Sequence, residues 1–306
     1  MAQGLLAAYN TVQSDFYIHH LTTQFFYPGI RETPITFEVM RTSDKKNSAA
    51  RIVFVFQRGV RINMMTMDFI RRPIIDGLSL RYHAQFPEGI ALPDDEVDDL
   101  KFFGNGLMHG QSLGRRISEY LYHSVHGVDN LLTRSGPESR KMEDNTTLQW
   151  LKSGSISSNI GERLHHAGLA FLTDQYILDT PARLHNLQLG LGEPKVGACQ
   201  EDSPYDKRST RDKLNMTDFR MSPPSDLRVM TTLNHAVHFY NPELTKADEW
   251  VLMEANTSFA YGGRVLIHSK LFSQDGTLLA VCTQEVGWYS LSIKSENNMF
   301  HRAIIG

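Results

Sequence analysis

A chain of 306 residues with 41% hydrophobic and 21% charged side chains has the make-up of an ordinary soluble globule, long enough for two domains or one large one. Its net charge of −3, with no basic tract, gives no electrostatic reason to expect nucleic acid as a partner. Cys199 and Cys282 are too few for a disulfide framework and lack metal-ligand spacing, so a reducing compartment is expected, with no metal and no cofactor. No run of about eighteen apolar residues is present, so no membrane span is expected. The first residues lack the charged region, apolar stretch and cleavage site of a signal peptide, and Arg302-Ala303-Ile304-Ile305-Gly306 is not a Ser-Lys-Leu-type address. A cytoplasmic location is the expectation that remains.

Residues 1–12 read as a helix, with Leu5, Leu6, Ala8 and Tyr9 apolar. Strands follow from 18 to 69. Ile35, Phe37 and Val39 alternate, whereas Ile52-Val53-Phe54-Val55-Phe56 is a continuous apolar run suited to a strand covered on both faces. Gln57-Arg58-Gly59 turns the chain into a hairpin partner, 60–64. The stretch 73–143 is less regular. It holds an acidic patch (Asp94, Asp95, Glu96, Asp98, Asp99), a short helix candidate at 113–126, and a Gly104-Asn105-Gly106 that follows no convincing strand and so does not read as a nucleotide loop.

Asn159, with Glu162 three residues on, predicts a helix start. That helix runs through Leu164, Ala167, Gly168, Phe171, Leu172 and Leu178 until Thr180-Pro181 stops it, and its small residues permit close backbone approach. Residues 190–226 are polar and rich in both charge signs, as expected of a mobile surface loop. Three strands close the pattern, starting at Trp250, Arg264 and Leu278. Asp275-Gly276 reads as a two-residue hairpin turn between the last two.

The end of the chain repeats its beginning. Phe25-Phe26-Tyr27-Pro28 matches Phe239-Tyr240-Asn241-Pro242, Ala49-Ala50-Arg51 matches Gly262-Gly263-Arg264, and Gln57-Arg58-Gly59 matches Gln274-Asp275-Gly276. The offsets are nearly constant: 242 − 28 = 214, 264 − 51 = 213 and 276 − 59 = 217. Two copies of one αβ unit, fused and packed as a pseudo-dimer, account for this order. The implied class is α+β, with repeats at 1–72 and 145–295, a linker with embellishment at 73–144, and a tail at 296–306.

Leu233-Asn234-His235-Ala236-Val237-His238-Phe239, Asp248-Glu249-Trp250, Gly263-Arg264, Phe272-Ser273-Gln274-Asp275-Gly276 and Thr283-Gln284-Glu285 together resemble the C-terminal half of the acyl-CoA thioesterase II family. The blocks lie between about 145 and 290; residues 1–70 match the N-terminal half more weakly. The resemblance implies a double hotdog, in which each repeat wraps an antiparallel sheet around a long central helix. It also implies hydrolysis of an acyl-CoA to a free acid and coenzyme A. Family members carry a strand before the first helix. Its absence here implies either a missing edge element or a start downstream of the true one, and an open edge favours a homo-oligomer.

In the family an Asp, a Ser or Thr and a Gln hold the attacking water. Those positions fall on Asn234, on Ser258 with Thr257 beside it, and on Gln284. A carboxamide cannot take a proton from water at neutral pH, so Asn234 removes the usual general base, a loss on the order of 10²–10⁴ in rate. Candidate replacements are His20, which occupies the place of Asn234 in the first repeat, the flanking His235 and His238, and Glu254. Glu285 follows Gln284 on one strand and points to the opposite face. As purely structural groups, the histidines satisfy hydrogen bonds near a strand end, Ser258 caps a turn and Gln284 is a solvated strand residue. No Gly-x-Ser-x-Gly elbow surrounds Ser258, so it is not a covalent nucleophile. Two functions follow: a hydrolase of acyl thioesters in lipid or secondary metabolism, or a non-hydrolytic binder of acyl-CoA or an acyl carrier that has lost its base. A peroxisomal location is compatible with the family.

Overall fold

A computed structural model describes residues 1–71, 82–90, 92, 115–118, 121–125, 146–156, 161–175, 177–181 and 227–290. The first repeat comprises helix α1 (Ala2–Tyr9) and strands β1 (Phe16–Phe25), β2 (Thr36–Asp44), β3 (Ser48–Gln57) and β4 (Val60–Arg71). Strands β5 (Arg115–Ser118), β6 (Leu121–Val125) and β7 (Thr146–Ser153) come next, followed by helix α2 (Glu162–Leu172). Strands β8 (Leu227–Phe239), β9 (Val251–Tyr261), β10 (Arg264–Phe272) and β11 (Leu278–Ser290) complete the second repeat. Among the described residues, these eleven strands form one sheet in the order β2-β3-β4-β1-β8-β11-β10-β9-β7-β6-β5.

The repeat read from the sequence is visible in this order. β2-β3-β4-β1 mirrors β9-β10-β11-β8, and the copies join where β1 pairs antiparallel with β8. At that seam Thr22 faces Ala236, with His20 opposite His238 and Gln24 opposite Asn234 on either side. The offset of 214 carries Thr22 onto Ala236 (22 + 214 = 236), so a local two-fold axis passes between these two residues. The symmetry stops at the edges. β7 extends the second repeat beyond β9, whereas among the described residues β2 pairs only with β3.

Both helices lie against one face of the sheet, here called the concave face. Leu5 and Ala8 of α1 and Leu169 and Leu172 of α2 are fully buried in one apolar cluster with Leu21, Val53, Met67, Val237 and Ile267. Small residues set the approach: a Cβ on Gly168 would lie 2.7 Å from the Ala247 Cβ. The helices are also tied to each other. Arg163 of α2 donates to the Tyr9 carbonyl at 2.8 Å and lies over the Tyr9 ring. The Tyr9 hydroxyl accepts from the Ile18 amide (2.9 Å) and donates to His166 Nδ1 (2.8 Å), while His166 Nε2 donates to the Pro242 carbonyl (2.9 Å).

Several sequence expectations need correction. Asp275-Gly276 is not a two-residue turn, because β10 and β11 are joined by 273–277 and only Gly276 in it has positive φ. The two-residue turns with both φ angles positive are Arg58-Gly59 and Gly262-Gly263. The helix candidate at 113–126 holds β5 and β6, which pair with each other, and β6 pairs in turn with β7, so part of the presumed linker belongs to the sheet. α2 begins after Gly161, at φ 85°, with no side-chain cap. Asn159 lies outside the described residues, as do the acidic patch, Gly104-Asn105-Gly106, Cys199, the presumed loop 190–226 and the tail 296–306.

The run 52–56 is only half covered on its outer face. Val53 and Val55 are buried on the concave side, while the Arg61 guanidinium lies 4.2 Å from the Phe54 ring centre on the other. A true second layer exists over the other repeat, where Phe86 and Ile90 pack on Leu148, Trp150, Leu252 and Phe272. Among the described residues no helix is long and apolar enough to cross a membrane.

Candidate active site

A shared irregularity shapes both repeats. In β8, Asn234 pairs with Glu285 of β11 and Thr232 with Val286, which leaves Leu233 as an extra, bulged residue. In β1, His20 pairs with Asp68 and Ile18 with Phe69, which leaves His19 as the extra residue. The offset of 214 superposes the two bulges (19 + 214 = 233). Strict alternation would send residues three apart to opposite faces; one bulged residue returns them to the same face. Thr232 and His235 therefore both reach the concave side, as Ile18 and Leu21 do in the first repeat.

His235 sits opposite Gln284 of β11 and Thr23 of β1, and all three side chains are fully buried. Gln284 Nε2 donates to Asp174 Oδ1 at 2.8 Å and to Thr232 Oγ1 at 2.7 Å. A carboxylate only accepts, so the contact with Asp174 fixes which end of the amide is nitrogen. The amide oxygen is then left over. Gln284 Oε1 and both ring nitrogens of His235 are buried without a hydrogen-bond partner among the described residues. Each such atom costs about 1–3 kcal/mol, so three of them together represent roughly 3–9 kcal/mol that a purely structural core would avoid.

Asp174 stands just past the end of α2, where the backbone amide of the C-cap residue Thr173 donates to Leu169. Its side chain is one-third exposed, and Oδ1 lies 3.7 Å from His235 Nδ1. At that separation a water can bridge them. Among the described residues Asp174 Oδ2 has no partner. Cys282, two residues before Gln284 on the same face, is completely buried, and its thiol is pushed up to about 12. It stays protonated and is no nucleophile near neutral pH.

The residues singled out from the sequence divide between the two faces. Gln284 and His235 are together on the concave face. Thr257 shares that face, opposite Ile267, which is in turn opposite Gln284, so it stands two strands away. Asn234 is on the convex face, where Nδ2 donates to Glu285 Oε2 at 2.9 Å and Glu285 pairs with Arg264 at 2.6 Å. Ser258 is the bulged residue of β9; it is exposed, with its hydroxyl 2.6 Å from His268 Nε2. His20 is also convex, stacked on His238 at 4.4 Å and 3.7 Å from Asp68. Burial and then the neighbouring His238 hold the His20 pKa down. Glu254 pairs with Lys270. Asn234, Ser258 and Gln284 therefore do not converge. The side chains that do meet Gln284 include Asp174 and Thr232, neither of which the sequence singles out. The sequence carries no signal for Asp174, because the helix expected to run on to Leu178 instead ends at Leu172, and Thr232 comes into reach only through the bulge.

Two repeats of one helix and one four-stranded antiparallel unit, joined edge to edge with both helices on one face, define a double hotdog. The family model for the acyl-CoA thioesterase C-terminal domain matches residues 98–287. The chain belongs to the acyl-CoA thioesterase II family. It is 22% identical over 290 residues to human "Acyl-coenzyme A thioesterase 8", covering 93% of this chain and 77% of that one. A solved structure of "an Acyl-CoA thioesterase II TesB2" from Mycobacterium marinum is similar at TM-score 0.65 and 22% identity, covering 95% of this chain and 88% of that one. A hot dog protein of unknown function from Alicyclobacillus acidocaldarius is similar at TM-score 0.57 and 18% identity, covering 94% and 84%.

Proposed function

We propose that this protein hydrolyses an acyl thioester, with acyl-CoA as the first substrate class to test, to a free acid and a thiol on the concave face of its second repeat. Family membership supports the reaction. The observation that carries the location is the trio of buried, unpartnered atoms: Gln284 Oε1 and the two nitrogens of His235. A water there would donate one hydrogen to Gln284 Oε1 and lie within reach of Asp174. Of the water-holding residues implied by the family resemblance, this reading keeps Gln284 and leaves Asn234 and Ser258 on the far side of the sheet.

The reading also predicts one site per chain. The first-repeat counterparts of Thr232, His235 and Gln284 are Ile18, Leu21 and Met67 (232 − 214, 235 − 214 and 284 − 217), all apolar. None of these three can hold a water.

The test is thiol release from acyl-CoAs of several chain lengths by the wild type and by Gln284→Met, which borrows the residue of the first repeat. Saturable release well above background, lowered on the order of 10²-fold in the variant, is the expected result. Saturable acyl-CoA binding with no turnover would assign the non-hydrolytic role instead.

A further inference from the structure

We infer that the carboxylate of Asp174, at the end of α2, is the general base of the second-repeat site and takes the role that Asn234 cannot fill. This rests on the hydrolytic reading above. Three observations converge on it. Among the described residues, Asp174 is the only carboxylate hydrogen-bonded to Gln284. Its Oδ1 is engaged by the amide while Oδ2 is unpartnered among the described residues, which leaves one oxygen directed by the other. It is also one-third exposed beside two completely buried polar side chains, so it stands where solvent meets the site.

The competing bases are worse placed. His235 has both nitrogens sealed from solvent, and it approaches Asp174 instead of the surface. His20, His238, Glu254 and Glu285 belong to the convex face, with a whole sheet between them and Gln284. The Asn234 amide already serves Glu285 on that same face.

The step balances without any further reactant. A water held between Gln284 Oε1 and Asp174 Oδ2 forms a C–O bond to the thioester carbonyl carbon as its proton passes to Oδ2. When the tetrahedral intermediate collapses, the C–S bond breaks and the departing sulfur takes that proton. Asp174 returns to the carboxylate, and the products are a free acid and a thiol. The titratable side chains that face Asp174 among the described residues are His235 from β8 and Cys282 from β11. Cys282 stays neutral throughout the working range.

The experiment compares the wild type, Asp174→Asn and Asp174→Ala on one acyl-CoA, with binding of its non-hydrolysable thioether analogue measured in parallel. Asp174→Asn is expected to lower kcat by on the order of 10²–10⁴ and to flatten the acidic limb of the kcat–pH profile, while analogue affinity changes by less than about threefold. Added formate is expected to restore turnover to folded Asp174→Ala, which a merely structural role would not produce. A wild type that turns over, with Asp174→Asn within about tenfold of it or folded Asp174→Ala unresponsive to formate, overturns the assignment alone. A wild type with no turnover overturns the hydrolytic reading, and the role of Asp174 falls with it.

Discussion

Restoring the missing acid at position 234 separates the family pattern from the geometry. If residue 234 faced the substrate, Asn234→Asp would supply a base and raise turnover. On the convex face it meets something else. Asn234 Nδ2 donates to Glu285 Oε2 at 2.9 Å, and an aspartate there exchanges a charge-assisted hydrogen bond for two facing carboxylates. The lost bond is worth about 1.5–3 kcal/mol. Two like charges relaxed to about 4 Å repel by roughly 1 kcal/mol in a water-like medium and about 4 kcal/mol at an effective dielectric of 20. Arg264, 2.6 Å from the other oxygen of Glu285, is largely exposed and offsets part of that. The net expectation is a loss of about 2–4 kcal/mol at neutral pH. Mutual repulsion raises the folded-state pKa of the pair, so the folded variant binds more protons than its unfolded chain and regains stability as pH falls toward the carboxylate range. Thermal melts at pH 5 and pH 7, run beside thiol release, read both effects. A tenfold gain in hydrolysis with an unchanged melting temperature would refute the two-face placement of residues 234 and 284.

Two more predictions rest on Arg51, with Arg264 as its comparison, and on His166. Arg51 is almost fully buried, with donors to the Thr11 hydroxyl and carbonyl and to the Ser43 and Ala50 carbonyls and an ion pair to Asp44, so Arg51→Ala is expected to cost about 3–5 kcal/mol in denaturant unfolding. Its sequence counterpart Arg264 is mostly exposed, and Arg264→Ala should cost less than about 1 kcal/mol. His166 is held neutral by burial, which pulls its pKa below the ordinary 6.5 despite the Pro242 carbonyl. A depressed histidine makes the unfolded state the better proton binder, so stability is full above pH 6.5 and declines as pH falls below it. Because protonation of Nδ1 reverses that hydrogen bond and leaves the Tyr9 hydroxyl proton without its acceptor, His166→Gln should flatten that part of the melting-temperature profile.

The sequence revealed most of the strands and the duplication, because alternation, paired turns and fixed offsets are local or periodic signals. The site was less legible for two physical reasons. The first is the bulge. Counting back from His235 by alternation sends Thr232 to the wrong face, and only the pairing of Thr232 with Val286 reveals the extra residue. Ordinary alternation alone separates Thr257 from Ser258, which are adjacent in sequence and occupy different faces. The other reason is distance along the chain. Asp174 reaches Gln284 across 110 positions, and a helix expected to continue to Leu178 hides that Asp174 stands just past the end of α2.

The duplicated fold also supplies its own control for what the site adds. Both repeats keep the bulge at the same place, so the bulge is part of how this sheet is built and not by itself a catalytic device. What differs is the side chains it delivers: Ile18, Leu21 and Met67 in one copy, Thr232, His235 and Gln284 in the other. The three apolar side chains have no polar atom to satisfy, whereas His235 and Gln284 leave three buried atoms unpartnered among the described residues. Gln284→Met, which makes the second copy more like the first, therefore bears on stability as well as rate. It removes one unpartnered oxygen and two hydrogen bonds, effects of opposite sign and similar size, so the fold should change by no more than about 1 kcal/mol while turnover falls. A variant that loses activity and keeps its melting temperature would mean that Gln284 is held against the interests of packing. A variant that loses both in step would mean that the amide is a structural strut and that the water belongs elsewhere.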